Sequence, residues 1–122
     1  MHVLVIGATG YVGARLVPRL LDDGHAVRCL VRDPARLRGH PWRTRVEVVP
    51  GDVTDPAATA SATHGVEAAV HLVHSMDAPG FEARDRRAAQ VLAAAAETDG
   101  LRRIVYLLSF QLQCGHCIRE QN

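Results

Sequence analysis

The chain has 122 residues, 48% hydrophobic and 22% charged, which allows one compact unit and leaves no room for a separate substrate domain. Fourteen basic residues against thirteen acidic ones leave +1, so no overall field draws in nucleic acid or an anionic membrane, and neither is expected as a partner. All the basic residues are arginine, and lysine is absent.

No apolar run reaches the roughly 18 residues needed to cross a bilayer, and the N-terminus lacks the charged start and cleavage site of a signal peptide. A cytoplasmic location is expected. Cys29, Cys114 and Cys117 are too few and too unevenly spaced for a secreted disulfide framework, so they are expected as reduced thiols.

In chain order, Val3-Leu4-Val5-Ile6 is an apolar, partly β-branched run closed by Gly7, the pattern of a strand covered on both faces. Residues 11–23 follow with Val12, Leu16 and Leu20 at helical spacing, and Gly24 as a stop. Strands are predicted again over 26–31, 46–49, 68–73 and 104–108. Residues 40–45 read as a polar loop. Residues 56–64 form a short alanine-rich helix with Asp55 as cap and Pro56 at the first position. A longer helix over 81–98 sets Phe81, Ala88, Val91, Leu92 and Ala95 opposite Glu82, Arg86, Arg87 and Glu97. Strands and helices alternating in this way require parallel strands joined by right-handed crossovers. The expected fold is α/β, a Rossmann-type three-layer sandwich with a parallel sheet of order 3-2-1-4-5 and a ligand at the switch between the first and fourth strands. Residues 1–109 form the expected domain. Residues 110–122 show no usable periodicity and are expected as a loose tail.

The first strand leads directly into Gly7-Ala8-Thr9-Gly10-Tyr11-Val12-Gly13, with the helix starting inside the motif. Gly7 suits a tight turn, Gly10 a close approach of backbone to a pyrophosphate, and Gly13 close packing of helix on strand. The helix start adds unpaired N–H groups and a positive dipole end. Gly7, Thr9, Gly10, Tyr11, Val12 and Gly13 are therefore candidate cofactor-binding residues, and a dinucleotide is the expected partner. The bland alternative is a glycine-rich turn that binds nothing.

At the end of the second strand, a carboxylate would serve the ribose 2′-hydroxyl of NAD, whereas a cation would serve the 2′-phosphate of NADP. Arg32 stands there, with Arg36 one helical turn on and Arg28 and Arg38 close in sequence. These arginines favour NADP over NAD. Asp33 next door would still suit NAD, and an exposed arginine face remains the plain reading.

Read together, the Gly-x-x-Gly-x-x-Gly turn, the segment from Cys29 to Leu37, Gly51-Asp52-Val53-Thr54-Asp55 and His71-Leu72-Val73-His74-Ser75-Met76 resemble the short-chain dehydrogenase/reductase superfamily. The resemblance is to its extended or atypical, epimerase-like branch. It implies that Asp52 bonds the adenine amino group, that the Val53 backbone sits by the ring, and that His71, Val73 and Ser75 lie along the central and nicotinamide-side ribose. His71 inside an apolar strand fits a core histidine equally well.

The same resemblance implies a catalytic tyrosine with a lysine four residues on, which lowers the tyrosine pKa for proton transfer. With no lysine present, Tyr11 in the turn and Tyr106 in the fifth strand do not fit that role, and Ser109 reads as a strand-end hydroxyl. No catalytic residue and no metal ligand is assigned. The superfamily also implies further strands and a substrate-binding portion, and the sequence after Leu108 resembles neither. The chain is therefore expected to be incomplete at its C-terminal side, with an open sheet edge for a homo- or hetero-oligomeric partner to cover. Cys114-Gly115-His116-Cys117 has dithiol spacing, but only five residues follow where a redox helix would stand.

Three functions remain open on sequence alone. They are the NADP(H)-binding domain of an oxidoreductase without its substrate part, a non-catalytic NADP-sensing module, and an unstable fragment.

Overall fold

The fold was analysed in a computed structural model, which describes residues 1–72, 81–108 and 111–114. Strands β1 (His2–Ile6), β2 (Ala26–Val31), β3 (Glu47–Pro50), β4 (Ala68–His71), β5 (Arg103–Leu108) and β6 (Gln111–Cys114) make one sheet of order β3-β2-β1-β4-β5-β6. The first five are parallel, in the predicted order. Helices α1 (Tyr11–Asp22), α2 (Pro56–Thr63) and α3 (Phe81–Asp99) supply the crossovers.

The two-residue period of the strands divides the core. Val3 and Val5 of β1 join Val27, Cys29 and Val31 of β2 and Val17 of α1 on one face. Leu4 and Ile6 join Leu30, Ala69, Ala62 of α2 and Leu92 of α3 on the other. A strand buried on both sides must be apolar at every position, which is why these runs are continuous. Each fully buried leucine or isoleucine contributes about 1.5–3 kcal/mol.

Two features depart from the sequence expectation. The polar loop over 40–45 is a 3-10 turn, Pro41–Arg45, and Trp42 within it is buried in the α1-side core. Its indole stacks on the His40 ring at a centroid distance of 4.7 Å. Near the other edge, Gln111–Cys114, expected outside the domain, forms β6, antiparallel to β5 with Leu107 opposite Leu112. Composition gave no sign of it, because a hairpin strand is selected by the partner it bonds. The rest of the tail, with His116 and Cys117, lies outside the described residues.

Cys29 is fully buried and free. Burial disfavours the thiolate and pushes its pKa from 9.0 up to about 12. The folded chain thus keeps this proton while an unfolded thiol loses it near 9.0. The stability it contributes is complete below that value and declines as pH rises toward 12. Iodoacetamide at pH 8.5 is expected to leave Cys29 unmodified in the native chain and to label it fully in denaturant, as read by mass spectrometry of its peptide.

Candidate functional site

Parallel strands bring their carboxyl ends to one edge of the sheet, and the candidate residues follow those ends. Gly7 leaves β1, Arg32 leaves β2, Asp52 follows β3, and His71 closes β4. β1 lies between β2 and β4, so the glycine turn sits where the crossovers diverge to opposite faces, the position at which open α/β sheets bind ligands.

The three motif glycines have different structural duties. Gly7 has φ +99°, a conformation that costs other residues, and its carbonyl accepts the Gly10 N–H at 3.1 Å. A Cβ on Gly13 would lie 2.2 Å from the Gly7 carbonyl oxygen and 2.7 Å from Ala8 Cα, so α1 approaches the turn only because that atom is missing. Gly10 caps α1 with φ −80° and ψ 177°, and a Cβ there would meet the Gly7 oxygen at an ordinary 3.5 Å. Neither backbone conformation nor packing within the protein demands glycine at this position. Its bare backbone at the start of α1 fits a ligand that approaches from outside.

Around it, Thr9 is half-buried, Tyr11 is 75% exposed and Val12 42%. The Arg15 guanidinium lies 3.6 Å from the Tyr11 ring centroid and donates to the Tyr11 carbonyl at 3.1 Å, which places a positive charge beside the helix start.

Arg32 and Asp52 meet beyond the ends of β2 and β3, with Nε 3.9 Å from Oδ2. The other Asp52 oxygen, Oδ1, accepts from the Thr54 N–H at 2.9 Å and from its hydroxyl at 2.8 Å. The pair is partly exposed, so its direct worth to stability is below about 1 kcal/mol. Its significance is placement of a guanidinium and a carboxylate side by side. Arg36 is exposed on the 3-10 turn Pro34–Leu37. Asp33 caps that turn, its Oδ1 accepting from Ala35 N–H at 3.1 Å.

Arg28 does not join this group. It lies in β2 on the face of α2, donating to the carbonyls of Ala62 at 2.8 Å and His64 at 2.6 Å and to Glu47 at 3.3 Å. The last turn of α2 leaves carbonyls without helical partners, and Arg28 satisfies them at the far end of the strands. Proximity in sequence to Arg32 was misleading, because four residues of extended strand separate the two by about 13 Å, which sets Arg28 back from the ligand edge.

Val53 has its side chain in the α2-side core and its carbonyl bonded by the Thr59 hydroxyl at 3.1 Å. His71 is 5% exposed, with its ring 5.6 Å from that of Tyr106 on the neighbouring strand. Val73, Ser75 and Ser109 lie outside the described residues. Among the described residues there is no cluster of metal-ligating side chains and no helix long and apolar enough to cross a membrane. Sequence reasoning overlooked Thr54, which holds Asp52. The Asp-x-Thr spacing of a local side-chain turn was the available signal.

Comparison with known proteins agrees with this geometry. The family described as NAD(P)H-binding matches residues 7–116. The chain is 36% identical to a 3 beta-hydroxysteroid dehydrogenase/Delta 5-->4-isomerase of Mycobacterium tuberculosis, over 93% of this chain and 33% of that protein. It is 38% identical to a ceramide reductase of Caulobacter vibrioides, over 84% of this chain and 33% of that protein. It thus spans about a third of the length of these curated relatives. Among solved structures, a short-chain dehydrogenase/reductase superfamily protein from Agrobacterium tumefaciens with bound NAD superposes with a TM-score of 0.69 at 32% identity, covering 87% of this chain and 32% of that one. An NADPH-dependent quinone oxidoreductase from Escherichia coli in complex with NADPH gives 0.70 at 25% identity, covering 85% and 35%. The match of the family over residues 7–116, with the glycine turn at the divergence of the crossovers, means that this chain belongs to the NAD(P)H-binding family, within the short-chain dehydrogenase/reductase superfamily.

Proposed function

We propose that residues 1–109 form the dinucleotide-binding unit of a reductase-like protein and that its ligand is NADP(H) in preference to NAD(H). In this reading Gly7, Thr9, Gly10, Tyr11, Val12 and Gly13 line the pyrophosphate, with the α1 dipole and Arg15 favouring its charge. Arg32 and Arg36 take the 2′-phosphate, Asp52 and the Val53 backbone flank adenine, and His71 and Val73 lie toward the nicotinamide-side ribose. The observation that carries the preference is the pairing of Arg32 with Asp52 beyond the ends of β2 and β3, a guanidinium fork where the 2′ position falls. Asp33, the carboxylate that would serve NAD, is already engaged as a helix cap.

Bound nicotinamide supplies hydride chemistry. The 122 residues contain no lysine to pair with a tyrosine, so the proposal concerns binding and orientation of the dinucleotide. Substrate and turnover are not assigned to these residues.

A thermal-shift titration tests it. A ligand bound by the folded state alone adds about 2.7 kcal/mol at a hundred times its Kd, which is on the order of ten degrees for a domain of this size. NADPH is expected to raise the melting temperature more than NADH does at equal concentration. Equal shifts, or a larger one with NADH, would overturn the NADP reading, and no shift with either would overturn binding by this chain.

A further inference from the structure

The arginines are unevenly distributed. Five of the fourteen, Arg32, Arg36, Arg38, Arg43 and Arg45, fall between residues 32 and 45, where Asp33 is the single acid. That stretch carries +4, and the remaining residues, with nine arginines against twelve acids, carry −3. All five arginines are exposed, while the two large apolar residues of the stretch, Leu37 and Trp42, are buried. The surface it presents is therefore charge without an exposed aromatic platform, which suits a compact phosphate ligand better than stacked bases.

Topology sets the direction of this charge. β2 ends at the ligand edge, and the parallel β3 begins again at the opposite edge, with Glu47 beside Arg28. The connection must travel the length of the strands, about 13–20 Å for four to six residues, and it carries its arginines along that flank. Arg32 at the ligand edge faces Asp52, and Arg45 at the far end lies 3.8 Å from Asp22. Among the described residues, no ion pair takes up Arg38 or Arg43.

We propose that Arg38 and Arg43 favour NADP(H) over NAD(H) without touching it, by a positive field that speeds the approach of the more highly charged dinucleotide. The inference rests on the NADP reading above. A 2′-phosphate adds about 1.5–2 negative charges near neutral pH, and steering grows with ligand charge. The field reaches about 30 Å in 0.01 M salt and about 10 Å in 0.1 M, so the flank acts at a distance only when salt is low. The rest of the chain carries a net −3, so residues 32–45 are its main concentration of positive charge.

Stopped-flow association of NADPH and of NADH with the full chain and with R38Q/R43Q tests the proposal, in about 10 mM and about 300 mM salt. At low salt the variant is expected to bind NADPH about three- to tenfold more slowly, with NADH slowed less and dissociation unchanged. At high salt the two proteins should converge. R38K/R43K should retain the fast rate, since a field depends on charge and not on a guanidinium fork. An unchanged melting temperature shows that the variants are folded.

Equal association rates at low salt would overturn the steering role. A faster dissociation that persists at high salt would overturn it too, by showing that these arginines contact the ligand. Failure of the underlying reading looks different, because it appears in the unaltered chain as NADH binding as tightly as NADPH, or as no binding of either.

Discussion

Gly13→Ala is expected to destabilise the chain by about 3 kcal/mol or more, and Gly10→Ala to leave its stability within about 1 kcal/mol while removing most of its affinity for a dinucleotide. The added carbon at position 13 would stand 2.2 Å from a carbonyl oxygen, 2.7 Å from Ala8 Cα and 2.9 Å from the Gly7 carbonyl carbon. All three are backbone atoms, so no rotamer change relieves the clash, and α1 must lift from β1. A domain of this size holds about 5–15 kcal/mol in total, and each lost kcal/mol lowers the melting temperature by about 4 °C. A drop on the order of ten degrees is therefore expected in calorimetry. At position 10 the same carbon meets only the Gly7 oxygen at 3.5 Å, and the backbone is extended, at φ −80°. Its effect falls on whatever approaches the start of α1, and a loss of about 2 kcal/mol, or thirtyfold in Kd, is expected by titration calorimetry. Equal destabilisation by the two substitutions would show that Gly10 serves the fold.

Arg32→Gln is expected to weaken NADPH binding about ten- to hundredfold, since a hydrogen bond to a charged group is worth about 1.5–3 kcal/mol, and to change NADH binding less than about threefold. Its melting temperature should stay close to that of the unaltered chain, because an exposed pair at 3.9 Å contributes little to stability. The selective loss is the informative part. Comparable weakening of both dinucleotides would place Arg32 on the pyrophosphate or on general electrostatics, and NADP selectivity would have to come from elsewhere.

Features that depend on neighbours in sequence were readable in advance. Gly7 and Gly13 declare a turn and a close approach of helix to strand within seven residues, and the continuous apolar runs of β1 and β2 declare burial on both faces. Asp55 before Pro56 declares the start of α2, where its carboxylate does accept the Ala57 N–H at 3.1 Å. What depended on distant partners was hidden. Arg28 looked like a ligand for phosphate until α2 placed its final carbonyls over it, 34 and 36 residues away in sequence. Trp42 sits among Pro41, Arg43, Thr44 and Arg45, and nothing local shows that the space beside α1 is there to receive it. β6 exists by virtue of the hydrogen-bonding edge that β5 offers.

The burial of Trp42 gives the protein an optical property. It is the sole tryptophan of the chain, held in the core cluster beneath the connection between β2 and β3 and stacked on His40. Its fluorescence therefore originates from one position in a dry environment, next to the arginine flank by which a phosphate would arrive. Indole emission overlaps the absorption of reduced nicotinamide, so a single intrinsic chromophore can register both opening of the core and arrival of the dinucleotide, with no label attached to the molecule.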